Sequence, residues 1–298
     1  MKQTIFTGSC VALITPFHPD GSVNFEKLGE LIELHIAHHT DAIAVCATTG
    51  EAPTISDEEH LKTLQYAVQK AAGRIPVIAG TGSNDTAHAI HFSQYAQSIG
   101  ADGLLLVTPY YNKTTQRGLI AHYRAIAESV TLPIILYNVP SRTGVGITPE
   151  TLNTLADIPN IAAIKEASGN VALASEMMRL CGDRLDFYSG NDDIVVPLLS
   201  IGFRGVISVA ANIVPDEMHQ MCQLYFDGKG TDAAAMQLSY LELINALFCE
   251  VNPIPVKEAM NLLGYEVGQV KLPLYEIAPE NREKLKKALH AAGVKKLI

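Results

Sequence analysis

The chain has few cysteines, no tryptophan, no long apolar run and no excess of basic charge. Its five cysteines (Cys10, Cys46, Cys181, Cys222, Cys249) are scattered and form no Cys-x-x-Cys pair. An odd, dispersed set in apolar surroundings implies buried free thiols, not a disulfide framework or a zinc site. No stretch approaches the about 20 consecutive apolar residues of a membrane span, and the start Met1-Lys2-Gln3-Thr4-Ile5-Phe6 lacks a signal-like apolar segment. A cytoplasmic protein with no membrane partner is the expectation. Lysine plus arginine number 22 against 31 acidic residues, a net charge of -9. That balance argues against broad nucleic-acid binding, which needs a basic face, but leaves room for a local positive pocket for an anionic substrate. The first apolar run is not followed by G-x-G-x-x-G, which weakens a doubly wound dinucleotide-binding sheet. Gly80-Thr81-Gly82 reads as a tight strand-to-helix turn.

Short apolar, β-branched runs are present at regular intervals: 11–14, 42–45, 76–79, 103–107, 133–136, 161–164, 185–188 and 205–209. Stretches with helical periodicity lie between them, such as 25–36 and 85–99, the second closed by Gly100. Eight strand signals alternating with helix-length segments predict an α/β fold, a (β/α)8 TIM barrel. From about residue 216 only helical patterns remain, over 216–226, 231–248, 255–263 and 279–292. The division expected is a catalytic barrel over 1–228 and a small C-terminal helical appendage over 229–298, packed on it because no low-complexity linker intervenes.

In such a barrel the carboxyl ends of the strands share one face, where active sites sit. Lys165 closes the run Ile161–Ile164. By itself it better fits a lysine whose stem is buried and whose charge reaches water. A buried amine, however, is disfavoured as an ammonium, which is what a Schiff-base nucleophile needs. Tyr137 ends the adjacent run, so its phenol can reach that amine. A hydroxyl chain from Tyr137 through Thr48 to Tyr111 suits the proton transfers of imine chemistry. Thr48, Thr49 and the N–H groups of Thr49-Gly50 suit a carboxylate. Arg142, with its planar fork, suits a second one. Metal ligands do not converge on this face, so neither a metal nor another cofactor is expected.

Taken together, Thr48-Thr49-Gly50-Glu51, Tyr110-Tyr111, the stretch from Tyr137-Asn138-Val139-Pro140 to Arg142-Thr143-Gly144, Lys165-Glu166-Ala167-Ser168, Tyr188-Ser189-Gly190-Asn191-Asp192 and Asn252-Pro253-Ile254-Pro255-Val256-Lys257 resemble the dihydrodipicolinate synthase family. The match runs over essentially the whole chain in the family's order. The K-E-A-S and Y-N-V-P elements occur across pyruvate-dependent class I aldolases. Thr-Thr-Gly-Glu and Arg142 are narrower and look like the synthase branch, not the N-acetylneuraminate lyase branch. The resemblance implies that pyruvate forms an imine and then an enamine on Lys165. The enamine attacks aspartate β-semialdehyde, and cyclisation gives 4-hydroxy-tetrahydrodipicolinate, on the way to diaminopimelate and lysine. It also implies a relay of Tyr137, Thr48 and Tyr111, with Tyr111 reaching in from a neighbouring subunit of a homotetramer. Arg142 then binds the semialdehyde carboxylate, and Thr49 with the backbone around Gly190 and Ile207 lines the pyruvate site.

The resemblance frays at the positions where some family members bind inhibitory lysine. Asn84, Tyr110 and His60 fit that pattern. Ala52, Asp57 and His88 stand where a serine, a histidine and a glutamate are expected, so weak or no inhibition by lysine is predicted. Two rivals stay open: a pyruvate aldolase for a sugar acid or hydroxy-oxoglutarate, which Arg142 disfavours, and a catalytically dead barrel used as a ligand sensor. His35, His38 and His39 share one side of a helix end. They read as a solvated surface, leaving a metal-dependent aldolase as an outside alternative. Asp192-Asp193 reads as a cap for a helix over 194–201.

Overall fold

The computed structural model describes residues 4–297. Met1–Gln3, part of the start read above, and Ile298 lie outside the described residues. The eight strands are β1 Gly8–Ala12, β2 Ala42–Val45, β3 Val77–Gly80, β4 Gly103–Val107, β5 Ile134–Asn138, β6 Ile161–Glu166, β7 Asp186–Ser189 and β8 Gly205–Ser208. They form a closed barrel in sequence order. All pairs are parallel, and β8 returns to β1 with Cys10 opposite Ile207. The helices are α1 Phe25–Ala37, α2 Asp57–Ala71, α3 Thr86–Ser98, α4 Gln116–Glu128, α5 Pro140–Thr143, α6 Pro149–Leu155, α7 Val171–Cys181, α8 Val195–Leu199, α9 Pro215–Phe226, α10 Gly230–Ala246, α11 Ile254–Leu262 and α12 Pro279–Ala291.

Strand side chains alternate between two buried clusters. Cys10, Ala12, Ala42, Ala44, Ile78, Leu105, Ile135, Tyr137, Ala163, Tyr188 and Ile207 belong to the cluster inside the barrel. Their neighbours, among them Val11, Leu104, Leu106, Leu136, Ile164 and Phe187, pack with the apolar faces of the helices. Alanines on β1, β2 and β6 make room inside for the large residues of β4, β5 and β7. Phe6 stacks on Tyr188 with ring centroids 4.1 Å apart and accepts the Tyr188 hydroxyl at 2.7 Å. Outside, Asn24, Ser56, Asp85, Thr115, Thr148 and Asn170 each cap the helix that follows with a side-chain oxygen, satisfying backbone N–H groups that the helix leaves unpaired. At the C-terminus α10 packs on α9, and α12 packs on α10 and α11. Among the described residues, no helix is long and apolar enough to cross a membrane.

Several expectations are corrected. β1 begins three residues earlier and ends two residues earlier than predicted. Leu13 and Ile14 remain buried beyond it, and the Ile14 amide donates to the Asn212 side chain at 3.2 Å, not to a strand. The helix expected over 194–201 is a single turn over Asp192–Ile194 followed by the short α8. Asp192 does not cap it; its carboxylate accepts the Val209 and Ala210 amides at 2.9 Å each. The histidine trio is not one solvated surface: His39 is exposed, His38 is half-buried and His35 is buried. His35 is fully buried with Nδ1 2.9 Å from the Thr40 hydroxyl, and burial lowers its pKa to about 3. His38 Nδ1 lies 2.7 Å from an Asp216 carboxylate oxygen. Cys10, Cys46, Cys181 and Cys222 are buried free thiols, while Cys249 is half-buried.

Gly80 shows why a glycine ends β3. Cys46 takes a left-handed backbone conformation, φ 56°, and a β-carbon on Gly80 would overlap the Cys46 carbonyl group. Because backbone, not a flexible side chain, opposes the added methyl, Gly80→Ala is expected to destabilise by about 1–3 kcal/mol, read as a lowered denaturation midpoint. Gly230→Ala, at the start of α10 with its nearest atoms 3.7 Å away on Tyr225, is expected to leave the midpoint in place. Equal midpoints for the two variants would contradict the crowding at Gly80.

Candidate active site

Parallel pairing places Tyr137 of β5 opposite Lys165 of β6, and Lys165 opposite Tyr188 of β7. Partners on one rung of a parallel ladder face the same way, so all three side chains project into the barrel. Lys165 is only 4% exposed. Its Nζ stands 4.4 Å from the centroid of the Tyr137 ring, over the electron-rich face. Gly190, just past β7, leaves room for it: a β-carbon there would overlap that of Ala167 and lie 3.0 Å from Lys165 Cε. Ile207 is buried in the same inner cluster as Tyr137.

Two buried acid groups of unequal character feel the charge of this amine. The Cys10 thiol is pushed well up in pKa by burial, against the opposing charge of Lys165. The Asp192 carboxyl is likewise raised by burial, opposed by hydrogen bonds from Ser208, Ala210 and Val209 and by Lys165. Gln237 of α10 steadies this turn, donating to the Asp192 carbonyl and accepting the Val196 amide, each at 2.8 Å.

The loops above are pinned by distant residues. Asn252 Nδ2 donates to Thr49 Oγ1 at 3.0 Å, and Arg142 Nη2 donates to the Asn252 carbonyl at 3.2 Å. The two candidate carboxylate binders therefore lean on one residue from the C-terminal region. Asn138 donates to Glu166 at 2.6 Å and accepts the Ile147 amide at 2.9 Å, which ties down the loop that carries Arg142. Glu51 and Lys257 form an ion pair at 2.9 Å with both side chains out of water. Burial lowers the Lys257 pKa, while Glu51 pulls it back up.

A cavity of about 400 Å³ opens over this arrangement. Thr48, Tyr137 and Arg142 line it, together with Tyr110, His60, Ala52, Asp57 and His88. Thr49, Lys165, Gly190 and Ile207 are not on its wall; Lys165 reaches it through contact with Tyr137. Tyr111 is set apart. It has φ 66° and is 92% exposed, so one chain does not bring it to Thr48. In the outer corner His60 Nε2 donates to the Gly80 carbonyl at 2.8 Å, and burial lowers the His60 pKa to about 4. His88 Nε2 faces Asp57 at 3.2 Å.

Reasoning from sequence named no role for Asn252, Glu51 or Lys257, and gave Asp192 only that of a helix cap. The one local signal was Lys257 itself, set among Val256, Ala259 and Met260 on an otherwise apolar helix face. Its partner lies 206 residues away, a distance that no local pattern spans.

A family model described as the dihydrodipicolinate synthetase family matches residues 5–292. A curated 4-hydroxy-tetrahydrodipicolinate synthase of Caldicellulosiruptor saccharolyticus is 57% identical over 290 residues, covering 97% of this chain and 98% of that protein. One from Clostridium novyi is 58% identical over 287 residues, covering 96% and 97%. Among solved structures, the chloride-inhibited dihydrodipicolinate synthase of Acinetobacter baumannii complexed with pyruvate superposes with a TM-score of 0.95 at 45% identity, covering 98% of this chain and 100% of that one. With the family model spanning nearly the whole barrel and its C-terminal helices, the chain belongs to the dihydrodipicolinate synthetase family.

Proposed function

We propose that the chain condenses pyruvate with aspartate β-semialdehyde to give 4-hydroxy-tetrahydrodipicolinate, by way of an imine on Lys165. The observation that carries this reading is the buried Lys165 amine over the Tyr137 ring, at the mouth of a barrel whose cavity also presents Thr48 and Arg142. The amine adds to the ketone of pyruvate and water leaves, forming the imine. Loss of a methyl proton gives the enamine, whose carbon attacks the aldehyde. The substrate's own amine then attacks the imine carbon and displaces Lys165, closing the ring.

Each step moves a proton, and Tyr137, whose ring centroid lies 4.4 Å from the Lys165 amine, is the group assigned to move it there. Thr48 continues the path towards solvent. Tyr111 completes it from a neighbouring copy in a homotetramer, in keeping with its exposure on the single chain. Thr49 and the N–H groups of its turn suit the pyruvate carboxylate, beside the backbone of Gly190 and Ile207. Arg142, exposed at the cavity rim and anchored to Asn252, suits the carboxylate of the semialdehyde. The absence of a long apolar helix among the described residues and the acidic composition support a cytoplasmic enzyme.

The decisive test is turnover of pyruvate and aspartate β-semialdehyde, coupled to the downstream reductase. Lys165→Ala should abolish both turnover and borohydride trapping of pyruvate while leaving the melting temperature near that of the parent. Trapping that survives would put the imine on another lysine. Trapping without turnover would keep the imine and discard the aldehyde.

Arg142→Met should raise KM for the semialdehyde about 10–100-fold, the loss of one or two hydrogen bonds to a charged group, with little change in KM for pyruvate. Equal shifts in both constants would place the arginine elsewhere. Lysine should inhibit weakly or not at all, because His88 occupies the outer corner of the cavity and already faces Asp57, leaving a desolvated ammonium no free acid to pair with. Micromolar inhibition in a direct titration would refute this.

A further inference from the structure

Glu51 sits two residues beyond Thr49, in the left-handed backbone region at φ 55°, which a residue with a side chain seldom adopts. Its carboxylate is gripped on both oxygens. Oε1 accepts from Lys257 Nζ at 2.9 Å, and Oε2 accepts from the Lys271 amide at 2.8 Å. Lys257 Nζ is satisfied in turn by the Gln269 carbonyl at 2.8 Å and stands 4.2 Å over the face of Phe17. The pair thus joins three segments: the loop after β2, helix α11, and the chain around 269–271.

The loop that this pair holds is the one that presents the hydroxyls. The Glu51 amide donates to the Thr48 carbonyl at 3.1 Å, and the Ala52 amide donates to the Ala47 carbonyl at 3.3 Å, so residues 47–52 form one tight turn. The Thr15 hydroxyl donates to the Gly50 carbonyl at 2.7 Å. Thr48 and Thr49 project from that turn, the first into the cavity, the second towards Asn252. A buried ion pair is weak evidence for stability, since apolar residues of the same volume often serve as well. Directed contacts to both carboxylate oxygens do what an apolar plug cannot, which is to set the rotation of the turn.

We propose that Glu51 and Lys257 are positioning residues: the buried pair orients the turn that aims Thr48 and Thr49 at the substrate bound to Lys165. The proposal rests on the reading of Lys165 as the imine-forming lysine. It predicts a defect in the chemistry of a protein that remains folded.

The readout is the rate at which pyruvate becomes trappable by borohydride, measured without the aldehyde, next to the melting temperature. Glu51→Asp keeps the charge but withdraws the carboxylate by one methylene. It is expected to melt close to the parent, to reach the same final extent of trapping, and to approach it at least about tenfold more slowly. The double variant Glu51→Gln/Lys257→Met removes both charges together, so neither is left buried alone, and is expected to fold and to trap at a similarly reduced rate. A folded variant of either kind that traps within twofold of the parental rate would overturn the proposal. So would loss of the fold in both variants, which would assign the pair to holding the barrel together. Absence of trapping in the parent protein would overturn the functional reading and this inference with it, and is told apart from slow trapping before any variant is compared.

Discussion

The ladder between β5, β6 and β7 is the constraint on which the rest of the site depends. Parallel strands cannot choose which of their side chains meet at the barrel axis once the register is set. Here the register sets Tyr137, Lys165 and Tyr188 on one rung, all facing inward. The amine therefore has the Tyr137 ring on one side and is almost wholly shielded from water. The outer layer serves that register. Leu104, Leu106, Leu136 and Ile164 pack under the helices, and a slip of one residue would turn them inward and carry Lys165 out of the barrel. Gly190 follows from the same constraint, since the lysine stem occupies the space a side chain would need.

Strand ends fix where a loop begins but not how it lies, and the loops above this ladder are held by polar contacts from far along the chain. Asp192 binds two amides just past β8. Asn138 and Glu166 bracket the loop that carries Arg142. Asn252 touches both Thr49 and Arg142, so the spacing between the two candidate carboxylate sites is set by one residue. Breaking one partner of a pair such as Glu51 and Lys257 costs about 3–5 kcal/mol, whereas replacing both together is often neutral. Such contacts do more for geometry than for stability. They also explain why the C-terminal helices lie against the barrel, as they deliver Asn252, Lys257 and Gln237 to its mouth.

The cavity has two regions of different chemistry. Its inner part, around Tyr137, Thr48 and Arg142, suits a small keto acid and an anionic aldehyde. Its outer corner joins a neutral, buried His60 to the facing pair of His88 and Asp57. Tyr111, exposed on its own chain with a left-handed backbone, is a side chain whose surroundings a single chain does not supply. On the proposed reading, a lone chain presents Lys165 and both candidate carboxylate sites, with Tyr111 left exposed.

The barrel was legible because its signals are local. Buried parallel strands need continuous apolar runs, and helices announce their starts with Asn, Ser, Thr or Asp. Errors gathered where local pattern and long-range pairing compete. Leu13 and Ile14 continue an apolar run past the last rung of β1; Asp192 looks like a helix cap but is drawn to the backbone beyond β8; and His35, polar by composition, is enclosed by the core. Lys165 and Tyr137 could be singled out because each stands at the end of an apolar run, and the candidates Thr48 and Arg142 because they follow such runs within a few residues, on the face the fold implies is shared. By itself the sequence determined the strand count, the face on which strand-end residues gather and the residue types available there, since these depend on neighbours in the chain. Only the tertiary structure decided which distant groups meet: Glu51 with Lys257, Asn252 with Thr49 and Arg142, Asp192 with Val209 and Ala210. The free energy of those contacts arises between segments whose separation along the chain leaves no periodic trace.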